Sequence, residues 1–250
     1  MNNKIKLVKN LLEKRSARKK EGLFVIEGPH LVEEAGALVK FFFYCENLPL
    51  VKKLEENGST GYKLSRKQFA ELSQVEAPQG ILAVVGELEY SLVDTIEKDK
   101  SLIIYCIGVQ DPGNLGTIIR TADAFGATGI ILSKGTVDLY NPKVARSTQG
   151  SLFHLPIVMV ENDEETIGQL KEKEIKVIAS NLSAEDNVFD IDLRGPVALL
   201  IGNEGSGLTK EVIKAADRSA LIPMRGKAES LNASVAASVI LYEILRQRLK

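Results

Sequence analysis

The chain has 250 residues, a formal net charge of -1, 44% apolar residues and 26% charged residues. Those proportions exclude a disordered or fibrous chain, and no apolar run approaches the length of a membrane span. At this length two modest domains, each burying its own core, are expected.

The opening Met1-Asn2-Asn3-Lys4 begins a charged stretch without the apolar centre of an export signal, so a cytoplasmic protein is expected. Within the first twenty residues Lys4, Lys6, Lys9, Lys14, Arg15, Arg18, Lys19 and Lys20 stand against Glu13 alone. Such an excess on a near-neutral protein suits a polyanion, because Lys and Arg neutralise phosphates and release counterions. Ile5, Val8, Leu11 and Leu12 recur at helical spacing, so the stretch also fits an amphipathic helix with a solvated basic face. Lys14, Arg15, Arg18, Lys19 and Lys20 are the candidate nucleic-acid contacts.

Residues 23–27 predict a strand, 30–38 a helix, 40–44 a second strand, 65–72 a helix, and 80–86 a strand entered through Pro78-Gln79-Gly80. The polar stretch 87–100 reads as a linker, which divides the chain into domains 1–95 and 96–250. Beyond it come an apolar strand at 102–108, a helix at 116–125, a strand at 129–133, a polar excursion through Asn141-Pro142 and an acidic helix at 161–174. Strands at 176–180 and 197–202, a helix at 209–216, a strand at 220–222 and a terminal helix at 231–249 complete the chain. Near-continuous Ile/Val/Leu strands alternating with helices predict an α/β fold with a parallel sheet covered on both faces.

The terminal helix has two usable faces. Leu231, Val235, Val239, Tyr242 and Leu245 form an apolar stripe, and Ala233, Ala236, Ala237 and Ile240 form a small-residue surface opposite. A helix apolar all round is buried on both sides, either within one fold or at a subunit interface; the small face is the one expected to meet a second copy. Cys45 and Cys106 lie in strand-like runs, share no close spacing with His30 or His154, and read as buried free thiols. Two histidines leave little material for a triad or a metal centre, so no metal is expected.

Three polar, glycine-bearing segments follow apolar strands. They are Gln110-Asp111-Pro112-Gly113-Asn114-Leu115-Gly116-Thr117-Ile118-Ile119-Arg120, then Ile201-Gly202-Asn203-Glu204-Gly205-Ser206-Gly207-Leu208, then Ile222-Pro223-Met224 leading to Ser230-Leu231-Asn232-Ala233-Ser234. An α/β fold gathers its binding loops at the carboxyl ends of its strands, so the three read as one site. The order G-x-x-G-x-G at Gly202, Gly205 and Gly207 is not the dinucleotide fingerprint, and no phosphate loop is present. Gly202, Ile222 and Leu231 could wall a pocket for a flat heteroaromatic ring, with Arg120 and Glu204 as an ion pair at its mouth.

At these residues the chain resembles the SpoU (TrmH-type) branch of the SPOUT RNA methyltransferases, across residues 102–248. The first 95 residues resemble the ribosomal-protein-L30e-like substrate-binding domain often fused ahead of it, through Phe24-Val25-Ile26-Glu27-Gly28 and Ala77-Pro78-Gln79-Gly80-Ile81. The resemblance implies an S-adenosylmethionine-dependent RNA 2'-O-ribose methyltransferase acting on ribosomal or transfer RNA, with ribosomal RNA favoured. It also implies a trefoil knot and a homodimer. It places Arg120 beside the attacking hydroxyl, supported by Asn114, Glu204, Ser230 and Asn232. It places Gly202, Ile222, Met224 and Leu231 against the cofactor, with Ser180 where the family often has Thr. Asn203 stands where many relatives carry Ala, a departure that bears on packing. A guanidinium is effectively always protonated, so Arg120 suits stabilisation of a developing alkoxide, or a grip on the adjacent phosphate, better than it suits a base. An RNA-binding module that has lost catalysis is the alternative, and retention of Asn114, Arg120, Glu204 and Asn232 argues against it. A doubly wound nucleotide-binding enzyme is disfavoured by the glycine spacing.

Overall fold

The basic N-terminal stretch folds as two helices, α1 (Asn2–Glu13) and α2 (Arg15–Glu21), interrupted at Lys14, whose backbone is extended. The computed structural model describes residues 1–96 and 101–249, so the last four residues of the expected linker lie outside the described residues. Two compact units result. One joins Met1–Leu88 with Asp138–Phe153, and the other joins Glu89–Val137 with His154–Lys250.

In the first unit the strands β1 (Leu23–Glu27), β2 (Val39–Tyr44), β3 (Thr60–Lys63) and β4 (Ile81–Gly86) form a sheet in the order β1-β4-β2-β3. Between them lie α3 (Pro29–Ala35), α4 (Pro49–Glu56) and α5 (Arg66–Ala70). Strand alternation sends neighbouring side chains to opposite faces. Val25, Phe41 and Phe43 pack with Val8 and Leu11 of α1, while Phe24 stacks its ring near Tyr140 and Phe153, at 4.5 and 6.4 Å between centroids. The polar excursion carrying α8 (Pro142–Ser147) therefore covers one face of this sheet.

The second unit contains α6 (Leu92–Ile96), β5 (Leu102–Cys106), α7 (Pro112–Ala124), β6 (Gly129–Ser133), β7 (Ile157–Val160), α9 (Asp163–Glu172) and β8 (Lys176–Ser180). It continues through β9 (Asp186–Asn187), β10 (Val197–Ile201), α10 (Lys210–Ala215), β11 (Arg218–Leu221) and α11 (Ala233–Arg248). Its seven strands run parallel in the order β7-β6-β5-β10-β8-β11-β9. β5 and β10, apolar throughout, are fully buried at the centre. β6 and β7 follow β5 outward in chain order on one side, while β10, β8, β11 and β9 fill the other side out of chain order, so the chain changes sides of the sheet between β5 and β10. Ligands of open α/β sheets bind outside the carboxyl ends of the strands at such a switch.

Two sequence expectations are corrected. Arg18 is not a free nucleic-acid contact: it is 4% exposed, its Nε and Nη2 donate to Asp138 Oδ2 at 2.8 and 2.6 Å, and its Nη1 donates to the Leu11 carbonyl at 2.5 Å. The partner lies 120 residues away, so a local count of charge could not reveal it. Lys14, Arg15, Lys19 and Lys20 are exposed. The faces of α11 are also inverted. Ala237 and Ile240 are 0% exposed and pack inward, where α11 lies against α7, whereas Val235, Val239 and Tyr242 are 47%, 40% and 58% exposed. Small residues here serve close packing of two helices within one chain.

Candidate active site

The site begins at the switch between β5 and β10. Ile201 pairs with Cys106, and the Ile107 N–H continues the ladder to the Ile201 carbonyl at 2.8 Å. That register delivers two loops side by side. Asn203 ties them, since its Nδ2 donates to the Gly108 carbonyl at 2.9 Å while its Oδ1 accepts from the Gly205 and Ser206 N–H groups at 2.9 and 3.0 Å. The loop doubles back so tightly that a Cβ on Gly202 would lie 2.4 Å from the Gly207 carbonyl carbon, so any side chain there would force it open.

Glu204 then reaches across. Its carboxylate accepts from the Gln110 and Asp111 N–H groups, each at 3.1 Å, and from Asn114 Nδ2 at 3.0 Å. Burial by itself would raise its pKa, but the Asn114 amide and the backbone donors outweigh that and hold it below the usual glutamate range. Glu204 is an ionised anchor rather than a base. Beneath it the Cys106 thiol is pushed up to about 12, by burial first and by the Glu204 charge second, and stays protonated. Cys45, expected buried, is half-buried.

Asn114 is locked by the same lattice. α7 starts four residues earlier than the sequence suggests, with Asp111 as its N-cap, accepting from the Asn114 N–H at 2.8 Å, and Pro112 in its first turn. Asn114 Oδ1 accepts from Asn232 Nδ2 at 2.9 Å, and Asn232 Oδ1 caps α11 by accepting from the Ser234 and Val235 N–H groups at 2.9 and 3.3 Å. Ser234 Oγ, which sequence reasoning missed, donates to Asn232 Oδ1 at 2.7 Å. A Ser two positions after a capping Asn was the available signal. All three segments therefore meet through Glu204, Asn114 and Asn232.

Arg120 behaves differently. It is exposed, and among the described residues its side chain makes no hydrogen bond or ion pair. The expected ion pair with Glu204 is absent among the described residues, and that carboxylate is held instead by the backbone and Asn114.

Beside the lattice lies a cavity of about 340 Å³, within the usual range for a small-molecule site. Ser180, Gly202, Ile222, Met224 and Leu231 line it, and so do Glu204 and Ser230. Among the described residues neither Lys nor Arg lines it, which leaves Glu204 as the charged residue there. The histidines lie elsewhere: His154 Nδ1 sits 2.8 Å from Asp123 Oδ2, and His30 meets the Gln149 carbonyl. No group of three or more His, Cys, Asp and Glu among the described residues could hold a metal, and no helix there is long and apolar enough to cross a membrane.

Residues 101–242 match the SpoU rRNA Methylase family, more than half of the chain. The chain belongs to that family. Residues 2–83 match the MRM3-like substrate binding domain. The chain is 38% identical to the 23S rRNA (guanosine(2553)-2'-O)-methyltransferase RlmP of Bacillus subtilis, over 97% of this chain and 96% of that protein. It is 36% identical to the 23S rRNA (uridine(2479)-2'-O)-methyltransferase of Streptomyces viridochromogenes, over 96% and 88%. Among solved structures it is similar to the SpoU methyltransferase AviRb from Streptomyces viridochromogenes in complex with AdoMet, with a TM-score of 0.92, 32% identity, and coverage of 100% of this chain and 99% of that one. A SpoU methylase is thus joined here to a substrate-binding unit.

Proposed function

We propose that this SpoU methylase transfers a methyl group from S-adenosylmethionine to a ribose 2'-hydroxyl of 23S ribosomal RNA, working in the cytoplasm as a homodimer. The observation that carries the reading is the Glu204–Asn114–Asn232 lattice beside a cavity lined by no cation. A phosphate-bearing cofactor would want Lys or Arg there. S-adenosylmethionine carries a sulfonium and an ammonium against one carboxylate, a net positive charge that suits a pocket whose charged residue among the described ones is an acid.

Gly202, Ile222 and Leu231 would hold the cofactor ring, with Ser180 and Met224 completing the walls. When bound, the cofactor supplies a sulfonium-activated methyl group. The chain's own work is orientation and charge. Glu204 fixes the 110–111 turn and Asn114; Asn114 and Asn232 fix the starts of α7 and α11; Ser230 borders the cavity. Arg120, exposed on α7 and unpaired among the described residues, is free to stabilise negative charge as the hydroxyl gives its proton to solvent, or to grip the neighbouring phosphate. Both duties need a guanidinium that no protein carboxylate has already claimed.

Ribose-methylation mapping of 23S rRNA from cells with and without the gene tests this directly. One 2'-O-methyl site should vanish on deletion and return with the wild-type gene. An unchanged map overturns the reading. For the dimer, the exposed Val235, Val239 and Tyr242 face, with Tyr242 edge-on to Phe125 at 5.7 Å, is the surface that association would cover. Sedimentation should show a dimer at micromolar concentration, and Val239→Arg should give a folded monomer. A monomeric wild type that methylates RNA would remove the dimer from the mechanism.

A further inference from the structure

The first unit has a cavity of its own, about 250 Å³, where β1 gives way to α3. Glu27, Gly28, His30, Gln79, Arg146 and Gln149 line it. Three distant stretches of chain converge there. The two sequence marks of the N-terminal unit face each other: a Cβ on Gly28, whose φ is +108, would come within 2.9 Å of Gln79 Oε1. The third wall is α8 and the turn that follows it, from the polar excursion.

Most polar groups of this cavity are held in place, and Arg146 is the exception. The guanidinium of Arg146 makes no hydrogen bond or ion pair among the described residues. Glu27, the one acid in the lining, is already engaged by Ser73 Oγ at 2.6 Å and the Gln74 N–H at 3.3 Å. The Gln149 carbonyl accepts from His30 Nε2 at 3.0 Å, and Gln149 Nε2 donates to the Arg146 carbonyl at 3.1 Å. Gln149 holds a φ of +51, a left-handed conformation that is rare for a residue other than glycine and that tends to persist at functional positions.

An imidazole and a guanidinium offer flat faces, Gln79 and Gln149 offer amides that both donate and accept, and Arg146 offers a cation that no carboxylate among the described residues pairs. Unpaired RNA bases are recognised by this combination: the ring stacks on His or Arg, amides read its edge, and a cation meets the phosphate. A duplex presents no splayed base to a cavity of this size, and a free phosphate would leave the amides without purpose. We propose that this cavity seats one unpaired nucleotide of the RNA substrate, an assignment that rests on the methyltransferase reading above. Substrate recognition then depends on Arg146, which lies far outside the first 95 residues of the chain.

The test uses the full-length protein and 23S rRNA from cells lacking the gene. Arg146→Ala should raise KM for the RNA about tenfold, the scale of one base stack removed, with kcat at saturating RNA unchanged. Gln79→Ala should raise KM several-fold without altering the salt dependence of binding, because it removes no charge. Arg146→Lys should recover less than half of the lost affinity, since an ammonium keeps the charge but not the plane. Thermal melting confirms that each variant is folded. KM within twofold of wild type for both alanine variants overturns the proposal, as does full rescue by lysine. Filter binding of the same RNA provides an arm independent of turnover. A wild type that binds but does not methylate refutes the catalytic reading while leaving the variants to decide the cavity.

Discussion

Arg18 in α2 and Arg120 in α7 carry the same side chain, and the protein uses them in opposite ways. Arg18 is enclosed, with Asp138 and the Leu11 carbonyl satisfying its donors, so it holds the first unit together and has nothing left to offer a ligand. Arg120 is exposed and, among the described residues, without a partner, while Glu204, the acid expected to pair with it, is tied up by backbone N–H groups and Asn114. A guanidinium is available for chemistry when no carboxylate has claimed it. The two regions should therefore separate cleanly, one failing in stability and the other in turnover.

The largest effect is expected at Arg18. Arg18→Ala leaves Asp138 mostly buried and unpaired, at a cost of about 3–5 kcal/mol, which urea denaturation would register; a loss below ~1 kcal/mol would make the pair incidental. Next comes Arg120→Ala, which should slow methyl transfer by about 10²–10³-fold and change stability by less than ~0.5 kcal/mol. Isothermal titration should find cofactor affinity within a few fold of wild type. Full activity in that variant removes Arg120 from the mechanism and erases the contrast.

A smaller effect sharpens the same comparison inside α2 and the residues leading into it. Replacing Lys14, Arg15, Lys19 and Lys20 together by Gln should flatten the dependence of log K on log salt by up to about 0.7 for each RNA phosphate that is no longer neutralised, with little change in stability. An unchanged slope would make them a solvated surface and leave the basic stretch with a structural role only. The smallest effect concerns acid. Glu204 has a folded-state pKa below its usual 4.5, so its contribution is fully present above pH 4.5 and is lost as pH falls below that value through the depressed folded pKa. Cofactor binding should weaken on that limb in the wild type, and Glu204→Gln should flatten the dependence. The same acid limb in both would assign the titration to another carboxylate.

The three polar segments are legible because each couples a strand end to a cap or a turn. Asp111 ahead of Pro112, and Asn232 ahead of Ser234, carry their geometry in local sequence. The short elements are not legible. β3 (Thr60–Lys63) is a half-exposed strand with no alternating pattern, and β7 (Ile157–Val160) has four residues at the sheet edge, too few for periodicity to register. α4 (Pro49–Glu56) does carry a local signal, the proline at its start, which the pattern of apolar residues alone does not reveal.

Composition and local pattern determined, by themselves, that buried parallel strands alternate with helices, that three loops would meet at their carboxyl ends, and that no dinucleotide fingerprint was present. Those conclusions depend on period, capping and spacing, all of which act over a few residues. The tertiary structure decided which cation is buried, which face of α11 points inward, and which carboxylate Asn114 and the backbone would hold. Each of those outcomes depends on a partner about 90 or more residues away. A charge or an alanine carries no local record of the distant group that will enclose it.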